Sequence, residues 1–291
     1  MLKYIESKNL GERRVGNMDI RLVACDLDGT LLDDEGKVSR ENLLAIDELS
    51  SRGIYFVPTS GRVFSEMPTE LTQNPSIRYY LTSGGATIYD KLTDTVDSVS
   101  LPQDKLDHLL GLARSMDPFV IVHSGKRALV DRRRLGDARI SAGYLPELFD
   151  KVAEDLSDPY DYLYGGGNVD MLSLVFRDPE ENERFYNAAK EVEGLALSKN
   201  TIGHASFNVE INHKDGNKGE GVGRLAKRLG IDERLVAAVG DSGNDISMIS
   251  RYKLSFAVDN AYPEIKRAAG YRLTSNREHA IKYLFENYIL K

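Results

Sequence analysis

One cysteine, five histidines and no long apolar run set the first limits on this 291-residue chain. A lone Cys25 excludes an internal disulfide. It lies in an apolar stretch with no histidine near it in sequence, which predicts a buried small hydrophobe rather than a catalytic thiol. The histidines fall in no metal-ligand spacing, so a zinc site is not supported. No apolar stretch approaches the length of a membrane span. Residues 1–17 are charged and lack the apolar centre of a secretory signal. Met18 is an alternative start that would make them a dispensable extension, and cytoplasmic residence is the default expectation. Cationic side chains are in deficit: 38 Lys and Arg against 45 Asp and Glu give a net charge of −7. That disfavours a general nucleic-acid surface. Internal repeats and low-complexity tracts are missing too, and nothing in the chain speaks to oligomeric state. What remains, 41% hydrophobic and 29% charged residues, is ordinary for a globular protein. The length allows one large domain or two of moderate size.

Three short apolar runs, at 20–25, 54–57 and 79–81, alternate with helical periodicity. A helix is expected over 41–51, with Leu43, Leu44, Ile46 and Leu49 on one face, Ser39 as its cap and Gly53 beyond its end. A second is expected over 63–71, weakened by Pro68. This βαβαβ order predicts a parallel sheet with right-handed crossovers. From 86 the character changes: two short strands within 86–101, a helix over 104–115, strands at 119–122, 128–130 and 172–176, and a helix over 180–192. Parallel α/β character returns near 198, with strands at 207–211, 235–239 and 254–258 and helices over 219–229, 262–269 and 277–290. The expectation is an α/β core from 18–84 and 198–291, an α+β insertion from 85–197, and the extension 1–17.

The chemistry gathers where buried strands end. Asp26-Leu27-Asp28-Gly29-Thr30 follows the first apolar run. Two carboxylates two residues apart at a strand end point the same way. Buried there they need a counter-ion, which a divalent cation supplies, and the carboxyl ends of parallel strands are where open α/β sheets place ligands. Thr59-Ser60-Gly61-Arg62 offers a hydroxyl at a helix entrance, where an anion is favoured. Asn217-Lys218-Gly219 puts a cation at a helix start, a poor place for it unless an anion must be clamped. Gly240-Asp241-Ser242-Gly243-Asn244-Asp245 can aim several oxygens at one hard cation. Each has a plainer alternative: an acidic loop, a serine cap, a solvated lysine, an acidic turn.

Taken together, in this order and at these separations, the four segments resemble the motifs of the haloacid dehalogenase superfamily. The insertion, the Thr59–Arg62 segment, Glu210-Ile211 and Val258-Asp259-Asn260-Ala261 resemble its Cof-like, type IIB phosphatases with a C2B cap. The resemblance implies a Rossmann-like parallel-sheet core with an inserted α+β cap. It also implies a hydrolase acting on a small phosphorylated metabolite, a sugar phosphate foremost, with Mg²⁺ as cofactor and no nucleic-acid or membrane partner. Asp26 corresponds to the nucleophile, Asp28 to the general acid/base, and Ser60 and Lys218 to the groups that hold the phosphate. Gly61, Arg62, Gly84 and Gly85 join Ser60 and Lys218 on the substrate side. Asp26, Asp28, Asp241, Asn244 and Asp245 form the metal set. Gly84-Gly85-Ala86 departs from the subfamily's Asn-Gly-Ala, and Ser275-Asn276-Arg277 lacks its usual glycine. Hinges are expected at Gly84-Gly85 and near Ser198. Leaving-group contacts are expected from His123, Lys126, Arg127 and Arg132 to Arg134. A phosphosugar mutase and a non-catalytic phosphometabolite-binding protein are the alternatives.

Overall fold

A computed structural model describes residues 18–136, 151–176, 178–202 and 206–290. Two sheets organise them. The first has eight strands in the order β14-β13-β12-β1-β2-β3-β4-β5. Here β1 is Leu22–Asp26, β2 Tyr55–Thr59, β3 Tyr79–Thr82, β4 Thr87–Asp90 and β5 Thr95–Ser98, while β12 is Val236–Gly240, β13 Leu254–Ala257 and β14 Tyr271–Arg272. The six strands from β14 to β3 are parallel, and β4 and β5 extend the sheet as an antiparallel hairpin. β1 lies at the centre because its side chains can be covered on both faces. Leu22, Val23, Ala24 and Cys25 are all fully buried, as strands of a parallel sheet must be. The single thiol is thus a core residue, and burial together with the Asp26 carboxylate raises its pKa well above the ordinary value.

The helix α1 (Arg40–Ser51) starts at Ser39, whose side chain accepts from the Asn42 amide. Its buried stripe is Asn42, Ala45, Ile46 and Leu49. Leu44, expected on that face, is exposed: at 3.6 residues per turn, 42, 45, 46 and 49 align and 44 faces away. Pro68 breaks the helix expected over 63–71 into a 3₁₀ turn, Phe64–Glu66, and a helical turn, Thr69–Thr72.

The second sheet has the order β10-β11-β9-β6-β7-β8. It comprises β6 (Phe119–Ser124), β7 (Arg127–Val130), β8 (Glu154–Asp155), β9 (Met171–Phe176), β10 (Leu195–Ile202) and β11 (Ser206–His213). Helices α2 (Gln103–Ala113) and α3 (Pro179–Ala189) cover one face, packing Leu106, Leu109, Leu110 and Phe185 on Val122, Leu172, Leu174 and Ile211. Strand pairing moves the expected boundaries. β4 and β5 pair with the first sheet, although the expected insertion, 85–197, includes them. β10 and β11 pair with the second, although the expected core segment, 198–291, takes in most of β10 and all of β11. The chain therefore crosses between sheets at 99–102 and 214–217. Gly84-Gly85 lies inside the first sheet's β3–β4 connection and Ser198 in mid-strand, so neither is a crossing.

One carboxylate ties the two sheets together beside the first crossing. Asp170 is fully buried. It accepts from Thr87 Oγ1 of β4 (3.0 Å), Ser100 Oγ (2.8 Å), the Gly125 amide (2.7 Å) and Asn168 Nδ2 (3.0 Å). Asn212 Nδ2 bridges the Asp170 and Ser83 carbonyls. Asp170→Ala strands these donors, and a loss of at least about 2 kcal/mol is expected in denaturant unfolding. An unchanged midpoint would contradict that role.

Candidate active site

β1, β2 and β12 are neighbours and end at the same rim. Thr59 is level with Asp26, and Val239 is level with Cys25. The strand order reverses at β1, so the crevice of the open sheet opens there. Helix α4 (Lys218–Arg228) points its N-terminus at the rim, capped by Asn217, whose side chain accepts from the Glu220 amide. Lys218 is therefore the first helical residue, 1% exposed. Its Nζ donates to Asp26 Oδ1 at 2.6 Å, Asp245 Oδ1 at 2.7 Å and Asn244 Oδ1 at 3.2 Å. Burial alone would lower the ammonium's pKa, but Asp245 and Asp26 outweigh it and hold Lys218 above the usual lysine range.

Asp26, Asp241 and Asp245 bring ligand oxygens within 4.8 Å of one another. Two of these carboxylates, Asp26 and Asp245, contact the Lys218 ammonium, and Asp241 adds a third buried acid beside them. Burial, then the neighbouring Asp245, raise Asp26 well above the carboxylate range and push Asp241 up to about 6. Such a surplus of buried oxygen charge is the donor set a hard divalent ion requires. Asp241 is steered by Thr30 Oγ1 at 3.1 Å. Gly29 has φ +81°, and a Cβ there would sit 2.6 Å from Asp241 Oδ2, so no other residue fits between the two acidic segments.

The remaining expected residues take distinct places. Asp245 commits its second oxygen to the Asp241 and Ser242 amides, at 2.9 and 3.1 Å, so it braces the loop and Lys218. Asn244 Oδ1 faces Lys218 and the Ser242 hydroxyl. The Asp28 side chain lies outside the close group of Asp26, Asp241 and Asp245, half-exposed, and receives Arg62 Nε at 3.0 Å and Nη2 at 2.6 Å. Arg62 therefore grips a carboxylate. Ser60 is buried and its Oγ accepts from the Arg62 amide at 3.2 Å. Gly61 lies beneath Glu210 of β11. Gly85 seats the helix rather than the rim, since a Cβ there would meet the Asn217 carbonyl carbon at 2.3 Å. A Cβ on Gly84 would approach Asn212 Oδ1 at 3.0 Å.

Sequence reasoning missed several supports. Asn260 Nδ2 holds the Gly29 carbonyl at 2.7 Å and Asn276 Nδ2 holds that of Leu32 at 2.9 Å, while Asn260 Oδ1 accepts from the Asn276 amide. Both fix the loop behind Asp28. Their only sequence signal was membership of the two C-terminal segments compared with the Cof-like pattern. The cations expected to meet a leaving group are engaged elsewhere. Lys126 pairs with Asp94, Arg127 with Glu154, Arg133 with Asp131 and Arg134 with Asp117, and Arg132 donates to the Ala153 carbonyl. His123 is buried against Glu66, its Nε2 4.0 Å from Oε2. Burial lowers His123 to about 4 and raises Glu66 to about 7.

A profile of the haloacid dehalogenase-like hydrolases matches residues 23–285. The chain belongs to this family. Within the haloacid dehalogenase-like hydrolases it is a Cof-like member and a phosphatase. YcsE of Bacillus subtilis, a 5-amino-6-(5-phospho-D-ribitylamino)uracil phosphatase, is 27% identical over 279 residues, 94% of this chain and 98% of that protein. YbjI of Escherichia coli, which bears the same name, is 25% identical over 268 residues, 91% of this chain and 94% of that protein. The solved structure of BT4131, described as a subclass IIB sugar phosphatase, covers 91% of this chain and 98% of its own, with a TM-score of 0.75 at 18% identity. That likeness is one of fold. Among the described residues, no helix of this haloacid dehalogenase-like hydrolase is long and apolar enough to cross a membrane.

Proposed function

We propose that this chain is a cytoplasmic, Mg²⁺-dependent phosphomonoesterase for small phosphorylated metabolites with sugar-like leaving groups, working through an aspartyl-phosphate. The observation that carries the reading is the meeting of Asp26, Asp241 and Asp245 within 4.8 Å of one another, with the Lys218 ammonium on Asp26 and Asp245. Asp26 and Asp241, with the Asp28 carbonyl, would hold the ion, and Asn244 and Asp245 would orient its surroundings. When bound, Mg²⁺ would neutralise the charge that otherwise keeps a carboxylate from a phosphate.

Asp26 attacks phosphorus in line. Asp28 protonates the departing alkoxide, then takes a proton from the water that opens the acyl phosphate. Ser60 and Lys218 hold the equatorial oxygens, where transition-state charge collects. The second sheet acts as the cap that excludes water and selects the leaving group. Its β10–β11 pair sets Ser198 and Glu210 side by side, 3.1 Å apart, with Glu210 over Gly61. A hydroxyl and a carboxylate suit a polyol. A mutase must rebind a phosphorylated intermediate and calls for free cations on the cap, where the candidate cations are paired with acids or carbonyls. A mere sensor has no use for both Asp26 and Asp28.

Chelation is expected to cut phosphate release by about 10²–10³-fold, with Mg²⁺ restoring it. A panel of polyol, sugar and carboxylated phosphomonoesters tests the leaving group. A metal-independent rate, or a preference for carboxylated substrates, would contradict the respective part.

A further inference from the structure

We propose that Val63, Glu66 and His123 are positioning residues that transmit cap docking to Asp28: the cap seats the turn after β2, and the turn sets Arg62 against the proton-transfer group. The inference rests on the reading of Asp28 as general acid/base.

The turn belongs to the first sheet's chain but is buried in the cap. Val63 is fully buried, and its neighbours are Phe119, Ile121, Ala128, Val130 and Val175, all on one face of the cap sheet. The Ser65 amide donates to the Lys126 carbonyl of the β6–β7 turn at 3.2 Å. His123 of β6 reaches the Glu66 carboxylate and lies beside the Gly61 carbonyl. Within the turn, Glu66 Oε2 accepts from the Val63 amide at 2.8 Å and the Glu66 carbonyl accepts Arg62 Nη1 at 3.2 Å. The other guanidinium nitrogens then fall on both oxygens of Asp28. Packing, a backbone hydrogen bond and the His123–Glu66 contact thus join the cap strands to the turn, and the turn's own hydrogen bonds lead on to a carboxylate that is otherwise half-exposed.

A planar fork on both oxygens fixes the direction in which the carboxylate points. That direction matters most in the second half-reaction. There the water oxygen bonds to phosphorus, the bond from phosphorus to Asp26 breaks, and the water's proton passes to Asp28. Inorganic phosphate and the Asp26 carboxylate result. Loosening the seat should therefore slow hydrolysis of the aspartyl-phosphate more than its formation.

Val63→Ala and His123→Ala test the seat from its two sides, with p-nitrophenyl phosphate and Mg²⁺ in the full-length protein. This leaving group departs without an acid, so kcat/KM reports formation and kcat reports hydrolysis. Each variant is expected to lose about tenfold in kcat while kcat/KM stays within about twofold, a split that simple structural damage does not produce. Acid-quenched variants should hold more phosphoenzyme at steady state than the parent, and the double variant should be no worse than the more impaired single one. Equal losses in kcat and kcat/KM, or unchanged kinetics, would overturn the proposal. A parent enzyme that forms no phosphoenzyme would instead defeat the underlying reading.

Discussion

Asp26→Asn is expected to yield a folded protein with turnover reduced on the order of 10⁴-fold or more. The carboxylate oxygen is the attacking atom, and an amide oxygen of the same shape is not a competent nucleophile. Stability should move the other way. Asp26 is 4% exposed, and burial beside Asp245 and Asp241 already disfavours its charge. A neutral amide keeps an acceptor for Lys218 Nζ, now 2.6 Å from Oδ1, and removes one of three crowded charges. Phosphate release and a thermal melt on the same preparation check both halves. A variant within tenfold of the parent would remove Asp26 from the mechanism, and a collapsed melt would show that its charge holds the fold.

Lys218→Met should do the opposite to stability and also suppress activity. The ammonium is the one cation in contact with Asp26 and Asp245 among the described residues, and both partners are almost fully buried. Removing one member of such a group leaves charge without compensation, at a cost of about 3–5 kcal/mol. A thermal midpoint lower by roughly 10 °C follows for a chain of this size. Activity should fall by about 10²–10³-fold as a donor to the transferring phosphoryl group is lost. Because the deficit is one of positive charge, added Mg²⁺ should recover part of the midpoint. A variant as stable as the parent would mean that Lys218 is not the counter-charge of the cluster.

The acidic segments were legible because strand ends announce themselves locally. An apolar run followed by Asp-x-Asp-Gly fixes both the buried strand and the direction of its carboxylates, and the run before Gly240 does the same. Ser39 and Pro68 likewise act on their own neighbours. Strand partnership is different. β4 and β11 mix apolar and polar residues, and their sequence does not say which sheet will receive them, so the expected boundaries at 84 and 198 fall whole strands away from the crossings. Contacts made across long separations were equally silent. Arg62, expected on the substrate side, holds Asp28, 34 residues away, a contact that no local pattern announces. Asp170 and Glu66 are isolated acids with no local pattern around them. Leu44 was miscounted because four leucines and isoleucines in ten residues invite a wider stripe than one helix face can bury.

Trapping the covalent intermediate tests the central claim most directly. The enzyme is mixed with a phosphomonoester and Mg²⁺, quenched in acid during steady-state turnover, and mapped by peptide mass. One added phosphoryl group on Asp26, absent from the Asp26→Asn protein, is the predicted result. Turnover with no phosphorylated peptide, or with the phosphoryl group on any other residue, would contradict it.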